Sequence, residues 1–216
     1  MLEKMGEFFD ARLSDYEEHQ MTCIAGAKEF YPYTATLLPF GGKEILDLGC
    51  GTGLELEHLF AIDPQARVTG IDLAPGMLAT LEQKFCNRAV RTVCASYFDA
   101  DLGRDCYDAA VSVESFHHFT QEEKIFLYQK IHAALKSDGY LILTDYFAAS
   151  DEEEQSHRQA LERLKREQGI EDCALYHYDT PLTVAHEIET LQAGGFFKVE
   201  LLKSWGATSV LKAVKR

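Results

Sequence analysis

The 216-residue chain predicts a doubly wound α/β fold, a mostly parallel sheet with helices on both faces. Three observations carry that expectation. From Lys43 onward, short apolar runs of strand character alternate with stretches of helical period, the order that builds parallel strands joined by right-handed crossovers. The first run, Glu44-Ile45-Leu46-Asp47-Leu48, breaks into Gly49-Cys50-Gly51-Thr52-Gly53, and an apolar helical pattern from Leu54 to Phe60 comes at once after it. The last two runs, Phe196 to Trp205 and Thr208 to Val214, are strands set around Gly206 with no helix between them.

Met1 to His19 reads as one helix, with Met5, Phe8, Phe9, Leu13 and Tyr16 at helical spacing. Tyr31-Pro32 and Leu38-Pro39 punctuate the next stretch, and Gly41-Gly42 lead into the first strand. Residues 1–42 therefore form an N-terminal helical cap, and 43–216 the main domain. Ala66 to Asp72 is the second strand, Pro75 to Cys86 a helix, and Val90 to Ala95 the third strand. Asp105-Cys106 introduce a buried fourth strand, Tyr107 to Val113. Thr120 caps a helix that carries Glu122 and Glu123 in its first turn and runs to Leu135. Asp138-Gly139 turn the chain into the fifth strand, Tyr140 to Thr144. A very polar surface helix is inserted at about 150–169, with acidic residues at its start and Gly169 at its end. Thr180-Pro181 pairs a capping residue with a proline at the first helical position, so a last helix runs from there to Ala193.

Apolar content of 46% and charged content of 26% are ordinary for a soluble globular protein. A net charge of −14 argues against nucleic-acid and anionic-membrane surfaces, which need clustered Lys and Arg, and it favours a cationic ligand. The six cysteines, at 23, 50, 86, 94, 106 and 173, form no Cys-x-x-Cys pair and no zinc spacing. No charged-then-apolar leader and no apolar run of the ~18 residues needed for a membrane span is present, so the cytoplasm is the expected compartment.

The glycine loop admits three readings. A dinucleotide fingerprint wants a third glycine where Leu54 stands, and a Walker loop wants a Gly-Lys-Ser/Thr ending that is absent. The third reading is an acidic strand end leading into Gly-x-Gly-x-Gly. Leu46-Asp47-Leu48-Gly49-Cys50-Gly51-Thr52-Gly53 resembles the first motif of class I S-adenosylmethionine-dependent methyltransferases. Gly70-Ile71-Asp72-Leu73, with Pro75, Met77 and Leu78 after it, is similar to the family's second motif. The resemblance runs from about Lys43 to Tyr146. It implies a Rossmann-like seven-stranded sheet closed by a C-terminal antiparallel hairpin, S-adenosylmethionine as cofactor, and a cytoplasmic transferase acting on a small-molecule methyl acceptor.

Those motifs nominate the cofactor-binding residues. Asp47, Gly49, Cys50, Gly51 and Gly53 form the loop. Asp72 lies some 20 residues on, where one carboxylate can accept both ribose hydroxyls, and Leu73 and Met77 flank the adenine. Ser96 stands where most members carry an Asp toward the adenine amine, and the Tyr97 amide can contact the same ring. Glu114 either faces the sulfonium or amino group or points away. His117 and His118 suggest acid–base or metal chemistry, but no further ligand at useful spacing is evident, so no metal is expected. An oxygen or carbon acceptor needs a base, with His117, Asp145 and Tyr146 as candidates. The cap is either a stabilising layer or a lid that brings Tyr16 or Tyr31 over the cofactor. Tyr146, Phe147, Tyr176, His177 and Tyr178 either line the far side of the cleft or are simply buried. Pro-Pro-Tyr of the amino-DNA methyltransferase type is absent after the fourth strand, which again disfavours nucleic acid. The inserted helix and its aromatic flanks offer a surface for a homodimer. Two other functions remain open at this level: an NAD(P)-type oxidoreductase, and a cofactor-binding module without turnover.

Overall fold

The computed structural model describes residues 1–172 and 174–216, so Cys173 lies outside the described residues. The strands are β1 (Glu44–Leu48), β2 (Arg67–Asp72), β3 (Ala89–Cys94), β4 (Tyr107–Val113), β5 (Leu135–Tyr146), β6 (Lys198–Trp205) and β7 (Thr208–Val214). They form one sheet in the order β3-β2-β1-β4-β5-β7-β6. β1 pairs in parallel with β2 and with β4, β2 with β3, and β4 with β5. β7 runs antiparallel to both β5 and β6, so the terminal pair is a hairpin. The chain builds outward from β1 to one edge and then restarts at β4 toward the other. The connections therefore leave β1 and β4 in opposite directions, and a crevice opens at the C-terminal ends of those two strands.

Eight α-helices accompany the sheet among the described residues: α1 (Met5–Asp10), α2 (Tyr16–Cys23), α3 (Ala27–Thr36), α4 (Leu54–Ile62), α5 (Pro75–Lys84), α6 (Gln121–Ala134), α7 (Asp151–Glu167) and α8 (Val184–Ala193). Strand side chains alternate between faces, and here both faces are apolar. Ile45, Ala109, Val111 and Ile142 pack with Phe30, Leu56, Leu59 and Leu81 from α3, α4 and α5. Their neighbours Leu46, Ala110, Leu141 and Leu143 pack on the opposite side with Leu127, Ile131 and Leu191 from α6 and α8. No helix among the described residues is long and apolar enough to cross a membrane.

The structure corrects four expectations. Residues 1–19 are not one helix: the chain breaks into α1 and α2 around a turn at 11–15. Asp10 accepts the amide of Gly76 at the start of α5 (2.9 Å), while Arg12 folds back over the Phe8 ring (3.7 Å) and pairs with Glu3 (3.0 Å). These contacts override a helical period that is only a weak local preference. Pro32 does not interrupt the chain but lies inside α3, where burial of Phe30, Tyr31, Thr34 and Ala35 outweighs one forgone backbone bond.

The fifth strand begins at Leu135. Leu135 pairs with Tyr107 and Tyr140 with Ala109, so Asp138-Gly139 belong to a bulge inside it. A Cβ on Gly139 would sit 3.0 Å from the Lys136 carbonyl. Finally, α8 starts three residues after Pro181, capped by Thr183, whose hydroxyl accepts the His186 amide (3.3 Å). Thr180 instead gives its amide to the carbonyl of His117 (2.7 Å), which ties this segment to the end of β4.

Candidate active site

Strand, loop and helix geometry sets the floor of the crevice. Gly49 has φ of 78°, and a Cβ there would lie 2.3 Å from Ser115 Oγ and 2.6 Å from the Tyr97 hydroxyl. Glycine is required on both counts. Asp72, at the end of β2, accepts the Gly51 amide on Oδ2 (2.9 Å) and the Ala74 amide on Oδ1 (2.9 Å). Those two bonds fix the carboxylate at the mouth of the glycine loop, and each oxygen keeps a lone pair for a further donor. Burial raises the Asp72 pKa, and the amides of Ala74 and Gly51 oppose that rise.

The crevice is walled on the sheet side by Gly49, Gly51, Asp72, Leu73, Met77 and Tyr97, and on the cap side by Met5, Phe9 and Tyr16. It encloses ≈ 30 Å³, about one water. The Tyr16 hydroxyl lies 3.4 Å from where a Gly51 Cβ would stand, so the ring covers the loop. A ligand of nucleoside size enters only when Met5, Phe9 and Tyr16 withdraw. Leu73 and Met5 also border a second space of ≈ 530 Å³ that includes Ser96 and Asp99.

Behind the loop, Asp47 on β1 and Glu55 on α4 are both buried. Among the described residues, neither oxygen of Asp47 nor Oε1 of Glu55 has a hydrogen-bond partner. Burial first, then the charge of Glu55, raise Asp47 well above the carboxylate range, and burial raises Glu55.

The end of β4 supplies a third group. Glu114 has φ of 49°, a left-handed conformation uncommon for a residue with a side chain. Its Oε1 accepts the Thr208 hydroxyl (2.9 Å), and burial lifts its pKa to about 7. A short 3-10 turn, Phe116–His118, then presents two histidines. Asp145, buried at the end of β5, accepts the Phe116 amide on Oδ2 (2.9 Å) and holds His117 Nδ1 on Oδ1 (2.5 Å). His117 Nε2 lies 3.6 Å from Asp179 Oδ1, and His118 Nδ1 lies 3.1 Å from the same atom. Burial alone would depress His117, but Asp145 and then Asp179 raise it to about 9. Burial and the neighbouring His117 charge lower His118 to about 4. This cluster faces a cavity of ≈ 710 Å³ that also exposes Arg12, Tyr146, His177 and Trp205. Phe9, Tyr16, Glu114 and His118 border both this cavity and the narrow crevice, forming the partition between them.

The residues singled out from the sequence thus separate into layers. Gly49, Gly51, Asp72, Leu73, Met77, Tyr97 and Glu114 line the crevice. Asp47, Cys50 and Gly53 stand behind it: Cys50 Sγ packs under Gly70, and a Cβ on Gly53 would lie 2.7 Å from the Phe85 ring. The Ser96 hydroxyl accepts the Phe98 amide (3.2 Å) and borders the neighbouring space, beyond Leu73. His117 and Tyr146 reach the large cavity, with Asp145 behind His117. Tyr16 and His177 are in place over the cleft, whereas Tyr31 and Phe147 are core residues and Tyr176 bonds Asp172 (3.3 Å).

Sequence reasoning missed Asp179, Arg12, Met5 and Phe9 as cleft residues. Asp179 carries no local signal in a polar connection. The cap residues were visible only as an apolar helix face.

Residues 45–139 match the family described as methyltransferase domain. The malonyl-[acyl-carrier protein] O-methyltransferase of Acetivibrio thermocellus is 35% identical over 103 residues, covering 48% of this chain and 35% of that one. The corresponding Anoxybacillus flavithermus protein is 34% identical over 78 residues, covering 36% of this chain and 30% of its own length. This chain therefore spans about a third of the length of those relatives. The carboxy-S-adenosyl-L-methionine synthase of Geobacter metallireducens is 29% identical over 174 residues, covering 74% of this chain and 71% of that protein. Among solved structures, human N-acetylserotonin methyltransferase in complex with S-adenosylmethionine superposes with a TM-score of 0.63 at 17% identity, over 88% of this chain and 52% of that one. An S-adenosylmethionine-dependent methyltransferase from Mesorhizobium loti gives 0.61 at 20% identity, over 85% and 96%. Those two likenesses are of fold alone. The matched segment, 45–139, is thus similar to a methyltransferase domain, and the seven-stranded sheet agrees with it in fold.

Proposed function

We propose that the protein transfers the methyl group of S-adenosylmethionine to a small-molecule acceptor held in the ≈ 710 Å³ cavity. The carrying observation is the fixed Asp72 carboxylate, aimed over the glycine loop beside the apolar walls Leu73 and Met77. That donor set fits an adenosyl group: a carboxylate with free lone pairs for a ribose diol, and apolar side chains for a purine face. When bound, S-adenosylmethionine supplies an electrophilic methyl carbon on a sulfonium.

The chain's own residues bind, align and enclose. Gly49 and Gly51 let the backbone come into van der Waals contact with the ligand. Glu114, on the partition between crevice and cavity, sets an acidic group where a cationic centre is favoured. Asp145 orients His117 so that its ring borders the cavity, and Tyr146 bounds the space for the acceptor. Holding the reactants in near-attack geometry can remove ~7–11 kcal/mol of barrier. Met5, Phe9 and Tyr16 of the cap exclude water from the same place. A cavity of ≈ 710 Å³ on a chain of net charge −14 favours a small acceptor over a nucleic acid.

Calorimetry with S-adenosylmethionine and S-adenosylhomocysteine tests the reading. The wild type is expected to bind both, and Asp72→Ala to weaken binding at least ~10-fold, since hydrogen bonds to a charged group contribute ~1.5–3 kcal/mol each. No binding to the wild type at millimolar ligand would overturn the proposal.

A further inference from the structure

The geometry points to a divalent-cation site formed by His117 Nε2, His118 Nδ1 and Asp179 Oδ1, on the wall of the large cavity. The three ligand atoms lie within 4.8 Å of one another. More tellingly, the two edges that meet at the carboxylate oxygen are 3.1 Å (His118) and 3.6 Å (His117). Ligand bonds of ~2.1 Å put neighbouring ligands about 3.0 Å apart at octahedral angles and about 3.4 Å apart at tetrahedral ones. Both edges at the carboxylate oxygen therefore match the spacing around a shared cation.

Two further observations support a ligand role. His118 is 4% exposed in its side chain, and its Nδ1 has no hydrogen-bond partner among the described residues, being close to Asp179 but out of line for a hydrogen bond. A buried imidazole nitrogen left in that condition is costly unless something fills it. His117 is gripped at Nδ1 by the buried Asp145, so Nε2 is the nitrogen that faces Asp179. A carboxylate behind the far nitrogen of a ligating histidine is the usual orienting arrangement at metal sites. Asp145 is fixed in turn by the amides of Phe116 and Tyr146 (2.9 Å each).

Two imidazoles and one carboxylate suit a first-row divalent cation such as zinc, iron or cobalt. The remaining positions open into the cavity, so a bound cation would present them to an acceptor bearing an oxygen donor, a hydroxyl or a carboxylate. That choice of acceptor class rests on the methyl-transfer reading; the cation site itself does not.

The test uses metal-stripped full-length protein under a reductant that does not bind metal. Cobalt(II) and zinc(II) are titrated calorimetrically, with cobalt also followed by its visible d–d bands. The wild type is expected to take up one equivalent with nitrogen and oxygen ligation and no thiolate charge-transfer band. Asp179→Asn, nearly isosteric and on a half-exposed side chain, and His118→Ala are expected to weaken binding at least ~10-fold, since even outer partners of metal ligands contribute that much. Circular dichroism melting verifies that each variant is folded. Should His118→Ala fail to fold, Asp179→Asn decides alone. Absence of binding in the wild type, undiminished binding in Asp179→Asn, or a thiolate band each overturns the site. Calorimetry with S-adenosylmethionine on the metal-free protein reads the crevice separately, so failure of the cation site and failure of the methyl-transfer reading give different results.

Discussion

Asp47 and Glu55 are buried with no hydrogen-bond partner for either Asp47 oxygen or Glu55 Oε1 among the described residues, and their raised pKa values have a thermodynamic consequence. Both pKa values are raised on folding, so the native protein holds a proton that the unfolded chain releases at about pH 4. Where the native state binds more protons, stability falls as pH rises. The contribution is intact below about pH 4 and is lost progressively as pH climbs toward the raised native values. Glu55→Gln supplies an amide donor to Asp47 and removes the need for the proton. Melting temperatures followed from about pH 4 to 7 should therefore decline less steeply in Glu55→Gln than in the wild type; parallel curves would contradict proton uptake at this pair on folding. At this scale the sequence was readable where a residue's conformation is set by its type. Gly49, Gly51 and Asp72 stand at the crevice because a left-handed turn and a strand-end acid have few alternatives. Cys50 was assigned to the ligand side, but its sulfur fills the space left by Gly70, where a Cβ would lie 2.7 Å from it. That packing pairs a loop position with a strand position and cannot be inferred from either alone.

Element by element, α4 to α7 and the sheet strands, apart from the start of β5, were legible because period, turn residues and length agreed. The cap and α8 were not, because tertiary contacts decide them. α6 and α8 are clamped by a buried pair, Lys124 and Glu187, with the Tyr128 hydroxyl donating to the same carboxylate. Removing one member of such a pair leaves an uncompensated charge, at a cost of ~3–5 kcal/mol. Lys124→Met is expected to lower the melting temperature by roughly 6–20 °C in a domain of this size. The double variant Lys124→Met/Glu187→Gln should recover most of that loss. No loss in the single variant would mean that α6–α8 docking does not depend on the ion pair. The displaced start of α8 matters to function as well: Thr180, bonded to the carbonyl of His117, anchors the connection that delivers Asp179 to the histidines. A sequence pattern that treated Thr180 as a helix cap therefore hid the third member of the cluster.

For the molecule as a whole, alternation of strand and helix was enough to give the doubly wound class but left the strand order to the structure, where the switch between β1 and β4 locates the crevice. What could not be read was how the cap sits. Two short helices broken at 11–15 lay Met5, Phe9 and Tyr16 across the glycine loop, narrowing the crevice to ≈ 30 Å³ beside a cavity of ≈ 710 Å³. The proposed methyl transfer requires those side chains to yield. The most direct measurement is a crystal structure of the protein grown with S-adenosylhomocysteine. The account predicts the ribose on Asp72, the adenine beside Leu73 and Met77, the amino-acid end over Gly49 and Gly51, and Met5, Phe9 and Tyr16 moved off the loop. A crevice still filled by those three side chains, with the ligand elsewhere or absent at saturating concentration, would contradict it.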